Sequence, residues 1–172
     1  MTTRDDAVRL LEEQHAELAA LFAELDEDAF VRRGTIGGGD WSAKDLAAHM
    51  GIWEAFAVEA MDAFGRGERP AFEDRFAGPG SGDRVNAEGV ERFLDVSASD
   101  VLARFEDLHR RVVAAIDSTS DDAWEADYPF DPDDRTLGDR IGSLLGSDDG
   151  GGFTHASAHL PDLRAYVATI SR

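Results

Sequence analysis

Apolar residues recur at alternating steps of three and four through four long segments of the chain, the spacing that lines one face of an α-helix. In the first, which begins after Thr2-Thr3, the stripe is Val8, Leu11, Leu18, Phe22 and Leu25, with His15 filling the missing position. The second opens at "DWSAKD", where Ser42 and Asp45 form a capping-box pattern, and continues through Leu46, His49, Met50, Trp53, Phe56, Ala60 and Phe64. The third starts at "SASD", where Ser97 and Asp100 repeat the start signal ahead of Val101, Phe105, Leu108, Val112 and Ile116. The fourth holds Phe153, Ala156, Leu160, Leu163, Tyr166, Val167 and Ile170. No segment alternates with the period of two that a half-buried strand requires. The pattern predicts an all-α protein.

The breakers lie between these segments. "RRGTIGGGDW" separates the first two helices, and "GRGERPAFEDRFAGPGSGDR" leads from the second to a short segment around "VNAEGVERFL". That connection is too long for a tight turn and is expected to cross the bundle, as one long connection does in several four-helix architectures. A further irregular stretch before the last helix is expected to contain a short helix near 136–145. The expected fold is therefore a four-helix bundle with a long crossover connection, formed by residues 1–172 as a single domain.

The net charge of -19, from 36 acidic and 17 basic residues, changes the list of partners. A surface of this sign repels nucleic acid and anionic membranes, so neither is expected as a partner. The Asp-rich balance with Lys44 as the only lysine suits a strongly hydrated, salt-tolerant surface. There is no cysteine, which removes disulfides and thiolate metal sites. No run approaches the roughly 20 apolar residues of a membrane span, and no signal-peptide pattern opens the chain, so a cytoplasmic location is expected.

Chemistry concentrates in the histidines. "HASAH" places His155 and His159 four residues apart, one above the other on a helix face, where both rings reach a single ion. His49 lies inside the apolar stripe of the second helix, so its ring points toward the bundle interior. Three inward imidazoles on two helices each need a partner for their polar nitrogens, and one shared divalent ion satisfies all three. Three protein nitrogens with open positions for other ligands describe a reactive site rather than a closed structural one. His15, on the apolar stripe of the first helix, is a candidate fourth ligand or a group that supports the ligands from behind, whereas His109, beside Arg110 and Arg111, is expected in a more solvated setting.

The segment "DWSAKDLAAHMGIWE" resembles the second-helix signature of the DinB/YfiT-like superfamily, and "THASAHLPDLRAYV" resembles its last-helix signature. "VNAEGVERFLDVSASDVLARFEDLHRRVVAAID" and the loop before it are similar to the ClbS/DfsB branch. The resemblance covers nearly the whole chain in order. It implies a DinB-like four-helix bundle with a divalent metal, zinc or nickel, held by His49, His155 and His159. It also implies either a metal-dependent hydrolase or a transferase using a low-molecular-weight thiol. Some members of the ClbS/DfsB branch lack the histidine triad that this chain keeps, so the alternative is a metal-independent protein that binds or shields against a reactive small molecule.

Trp53, one turn beyond His49, is the candidate substrate-binding residue, with a core role as its alternative. Trp41 and Trp124 are further aromatic candidates, and Glu54 is expected on a solvated face, with a general base near a metal-bound water as its alternative role. The glycines of "GSDDGGGF" lack the Lys-Ser/Thr of a phosphate loop, and no nucleophile-elbow pattern is present. The expected partners are a small-molecule substrate and a second copy of the chain in a homodimer.

Overall fold

A computed structural model describes residues 2–37, 40–76, 78–131, 133–147 and 151–170. Four long helices carry the architecture: α1 (Arg4–Ala23), α3 (Ala43–Arg66), α5 (Ala98–Ser118) and α8 (His155–Ile170). Short helices fill the connections: α2 (Glu27–Phe30), α4 (Ser81–Glu91), α6 (Asp121–Trp124) and α7 (Leu137–Leu144). A 3₁₀ turn spans Ala71–Phe76. The described residues contain no strand, only isolated bridges such as Ile36 with Trp41 and Ser147 with Gly151.

The helix starts follow from side-chain caps that satisfy the free N–H groups of the first turn. Thr3 accepts from the Asp6 N–H, and Ser97 from that of Asp100. Ser42 accepts from the Asp45 N–H while Asp45 Oδ2 accepts from the Ser42 N–H at 2.9 Å, completing the expected capping box. Gly67 ends α3 in the left-handed conformation at φ 68°, the usual device for releasing a helix into a loop. The bundle is a four-helix ring in which α1 packs on α5 and α8, and α3 packs on α5 and, more lightly, α8.

Helix α3 is covered on nearly every side, because α4 and α7 close the faces that α5 and α8 leave open. The crossover after it holds the 3₁₀ turn and α4 rather than bare loop. Helix α4 comes so close that a Cβ at Gly89 would lie 2.3 Å from Ile52 Cδ1. Lys44, 9% exposed, extends along the bundle and donates from Nζ to the Leu94 and Val96 carbonyls at 2.9 and 2.7 Å. The single lysine thus fastens the end of the crossover to α3.

A buried ionic knot ties the crossover to α7. Arg140 donates from Nη2 to Glu73 Oε2 at 2.8 Å and from Nε to Glu73 Oε1 at 3.1 Å. The Tyr128 hydroxyl donates to the same Glu73 oxygen at 3.1 Å, and the guanidinium lies over the rings of Phe72 and Phe76. Burial and the Glu73 carboxylate push the Tyr128 hydroxyl above its ordinary range, so it stays a donor.

No helix of the described residues is long and apolar enough to cross a membrane.

Candidate metal centre

His49 sits in the second turn of α3 at 2% exposure, and His155 and His159 occupy the first two turns of α8. One ligand atom from each of the three lies within 4.8 Å of the others. His49 Nε2 and His155 Nε2 are 2.8 Å apart, one donating to the other. The ring of His159 stands 5.1 Å from that of His49, nearly perpendicular to it. Pro161 falls inside α8 without interrupting it, so the turn that stacks the two histidines is intact.

The donor set suits a borderline divalent ion such as zinc or nickel. Burial, reinforced by His155 and His159, holds His49 well below the ordinary imidazole range. Burial and then His159 lower His155 to about 3, although its cleft-facing edge keeps some solvent access. Burial also lowers His159, against the opposing pull of Asp162. All three rings are neutral at pH 7 and present lone pairs. Tetrahedral ligands with bonds near 2.05 Å sit about 3.3 Å from each other, so the His49–His155 pair must open by only about half an ångström to admit an ion.

These shifts set a pH dependence. An unfolded histidine titrates near 6.5, whereas folded His155 resists protonation down to about 3. Between those values the unfolded chain binds more protons, so the metal-free protein gains stability as pH rises, with the contribution complete above about 6.5. Denaturant unfolding at pH 5 and pH 7.5 should show this slope, and His155→Phe should lack part of it.

The three histidines lie at the floor of an open cleft of about 750 Å³. Trp41, Trp53 and Asn86 also line it, as do Ser143, Ser147 and Thr154. Trp53 is partly exposed, stands edge-on to His155 at 5.7 Å, and donates from Nε1 to Asn86 Oδ1 at 2.9 Å. Asn86, to which the sequence assigns no role, therefore fixes the tryptophan's orientation. Trp124 is core instead: it is 2% exposed, stacks on Phe153 and donates to the Thr2 carbonyl. Residues 148–150 of the glycine run lie outside the described residues.

Helix α8 is aimed by a residue from the opposite end of the sequence. Gln14 Oε1 accepts from the Ser157 N–H at 3.0 Å and from its hydroxyl at 2.7 Å, while Gln14 Nε2 donates to the Phe153 and Leu10 carbonyls. The amide thus supplies the first turn of α8 with an acceptor. Phe153 precedes that turn at φ 62°, a left-handed conformation costly for an aromatic residue. Gln14→Ala should cost about 1–3 kcal/mol by leaving these groups unpaired. Thermal unfolding reads that loss, and a Zn²⁺ titration should show weaker binding in the same variant.

His15 turns its ring inward from the stripe of α1, as the sequence places it, stacking on Phe105 with its side chain 11% exposed, and Gln14 joins it on the buried face. Two expectations from the sequence need correction. Glu54 is buried at 4% exposure rather than solvated, and His109 is buried at 8%. The reason is shared: α5 packs along the face of α3 that carries Glu54, and His109 Nδ1 meets Glu54 Oε1 at 3.3 Å. Burial raises the Glu54 carboxyl while the His109 hydrogen bond opposes it. His15 stacks on His109 at 3.6 Å, nearly parallel, and its Nε2 lies 3.1 Å from Glu106 Oε2. Burial, with His109 adding, lowers His15 against the pull of Glu106.

Among solved structures, an uncharacterised protein from Escherichia coli UTI89 has the same fold at TM-score 0.82 and 14% identity, covering 99% of this chain and 96% of that one. The colibactin self-resistance protein ClbS, solved in complex with a dsDNA, aligns at TM-score 0.75 and 15% identity over 100% of this chain and 98% of its own. A mutant of the mycothiol-dependent maleylpyruvate isomerase aligns at TM-score 0.65 and 17% identity, over 95% of this chain and 63% of that protein. Identities this low speak for the fold alone. The DNA in the ClbS structure corrects one expectation: the exclusion of nucleic acid does not hold for the fold, and net charge is not sufficient ground for it here. No curated protein matches the sequence significantly. A family model described as the DinB superfamily matches residues 10–146, most of the chain, and with the DinB-like fold of its neighbours this places the protein in the DinB superfamily.

Proposed function

We propose that the protein is a divalent-metal-dependent enzyme that carries out hydrolysis or thiol transfer on a small electrophilic molecule. The observation that carries this reading is the convergence of His49, His155 and His159 on one point at the floor of an open cleft. A divalent ion held there supplies Lewis-acid charge, which makes a nucleophile available from water or a thiol at neutral pH. The chain's own residues do the rest. Burial keeps the three imidazoles neutral, and Gln14 holds the α8 turn that presents two of them. Trp53, fixed by Asn86, offers an apolar wall against which a substrate lies. The Ser143 hydroxyl, also on the cleft lining, adds a polar group to it.

Elemental analysis of untagged protein purified without added metal tests the reading. About one zinc or nickel ion per chain is expected, and a protein that neither arrives with metal nor takes it up by dialysis overturns it. Dependence of turnover on an added low-molecular-weight thiol then separates transfer from hydrolysis. A second reading, metal-independent binding of a reactive small molecule, is favoured by the 2.8 Å hydrogen bond between His49 and His155, which pairs their two Nε2 atoms without an ion. Ligand binding that persists in chelator would select it.

A further inference from the structure

Three residues of the bundle interior each carry a buried side-chain atom with no hydrogen-bond partner: His15 at Nδ1, Glu54 at Oε2 and His155 at Nδ1. They line a single small cavity inside the bundle together with Gln14, whose amide is already engaged with Leu10, Phe153 and Ser157, and with apolar side chains such as Leu18, Met50 and Phe105. The cavity measures about 20 Å³. That suffices for one water, which needs roughly 10–15 Å³ of such volume and two to four polar partners.

We propose that Glu54 is a positioning residue for the metal centre, linked to His155 Nδ1 through one buried water that His15 also holds. The donor and acceptor count closes. His15 meets the Glu106 carboxylate through Nε2, which must therefore carry the proton, leaving Nδ1 as a lone pair. With His109 Nδ1–H donating to Glu54 Oε1, Glu54 enters as a carboxylate and its Oε2 is likewise an acceptor. The water donates one hydrogen to each, and its own lone pair is left to accept from His155 Nδ1–H. That places the His155 proton on Nδ1 and leaves Nε2 as the lone pair facing His49 Nε2, where an ion would bind. Histidine ligands commonly donate their second nitrogen to a carboxylate, directly or through water, which fixes tautomer and ring orientation. The inference rests on the metal reading for its consequence, but not for its geometry.

The same residues admit another occupant, since His15, Glu54 and His109 also bring ligand-type atoms within 4.8 Å of one another. The parallel stacking of His15 on His109 at 3.6 Å disfavours an ion there. Imidazole lone pairs lie in the ring plane, and an ion between two parallel rings lies in neither plane.

Histidine ¹⁵N NMR of the metal-free wild-type protein is the primary test. His155 is expected as the Nδ1–H tautomer, and finding it as Nε2–H overturns the link whether or not any variant folds. In Glu54→Gln the tautomer should become mixed, and calorimetric Zn²⁺ affinity should fall about 10- to 100-fold at one ion per chain. Unchanged affinity and tautomer in that variant overturn the proposal. So do two ions per wild-type chain with one lost in Glu54→Gln, because Glu54 would then be a ligand of a second centre. A wild-type protein that takes up no Zn²⁺ yet holds His155 as Nδ1–H, with the shift in Glu54→Gln, supports the link and overturns the metal reading.

Discussion

Replacing His49 or His155 with alanine is expected to abolish stoichiometric Zn²⁺ binding, with an affinity loss greater than the roughly 10- to 100-fold typical of residues behind the ligands. The double variant should lose little more than either single one, because the three imidazoles act through one centre and their effects are not additive. An ion bound only to the folded state at a hundred times its dissociation constant stabilises by about 2.7 kcal/mol. For a chain of this size that corresponds to roughly 5–11 °C in melting temperature. The metal-dependent shift should vanish in each variant. The comparison must be run with and without Zn²⁺, because removing either partner of the 2.8 Å His49–His155 hydrogen bond also costs the metal-free protein stability. If wild type shows no metal-dependent shift and the alanine effects add, the histidines are packed polar residues and the enzyme reading is withdrawn.

The stripes of α1, α3, α5 and α8 were legible because each helix buries one face against its neighbours and announces its start with a capping residue. Ser42 with Asp45, and Ser97, cap where the sequence places them. The convergence of His49 with His155 was legible for the same reason: an inward stripe position and an i, i+4 pair are local patterns that a bundle brings together. The residues that escaped share a different property. Gln14 reads as a surface residue by type, and its partners Phe153 and Ser157 lie 139 and 143 positions away. Glu54 sits outside the apolar stripe of α3, but that helix is central and has no solvated face at that level, so the amphipathic rule fails there. His109 was misplaced by its arginine neighbours, although successive helical residues point in different directions. Polar residues whose partners are remote in sequence carry no local signal, and these are the ones that orient the histidines.

The Glu73–Arg140 knot was equally invisible, and it sets the second large effect. Both side chains are buried, with Glu73 at 8% and Arg140 at 8% exposure, and the pair makes two hydrogen bonds while Glu73 also accepts from Tyr128. Arg140→Met removes the guanidinium that lies over Phe72 and Phe76 and leaves the Glu73 carboxylate buried without its cation. Breaking a buried pair from one side costs about 3–5 kcal/mol, since the surviving charge has lost water and gained nothing. For a protein of this length that is a fall of roughly 6–20 °C in melting temperature. Replacing both residues by apolar ones of similar volume, Glu73→Leu with Arg140→Met, removes the Glu73 charge and should recover part of the loss. Tyr128 is then left one acceptor short, and the buried Asp131, 3.6 Å from Arg140 Nε, keeps Arg135 as its cation. Thermal unfolding of wild type, both single variants and the double variant measures the coupling directly. Single variants no less stable than wild type, or a double variant whose loss is the sum of the two, would mean that the pair does not hold the crossover to α7. Because the knot lies on the crossover and α7 rather than at His49, His155 or His159, Zn²⁺ stoichiometry should be unchanged in every variant that stays folded.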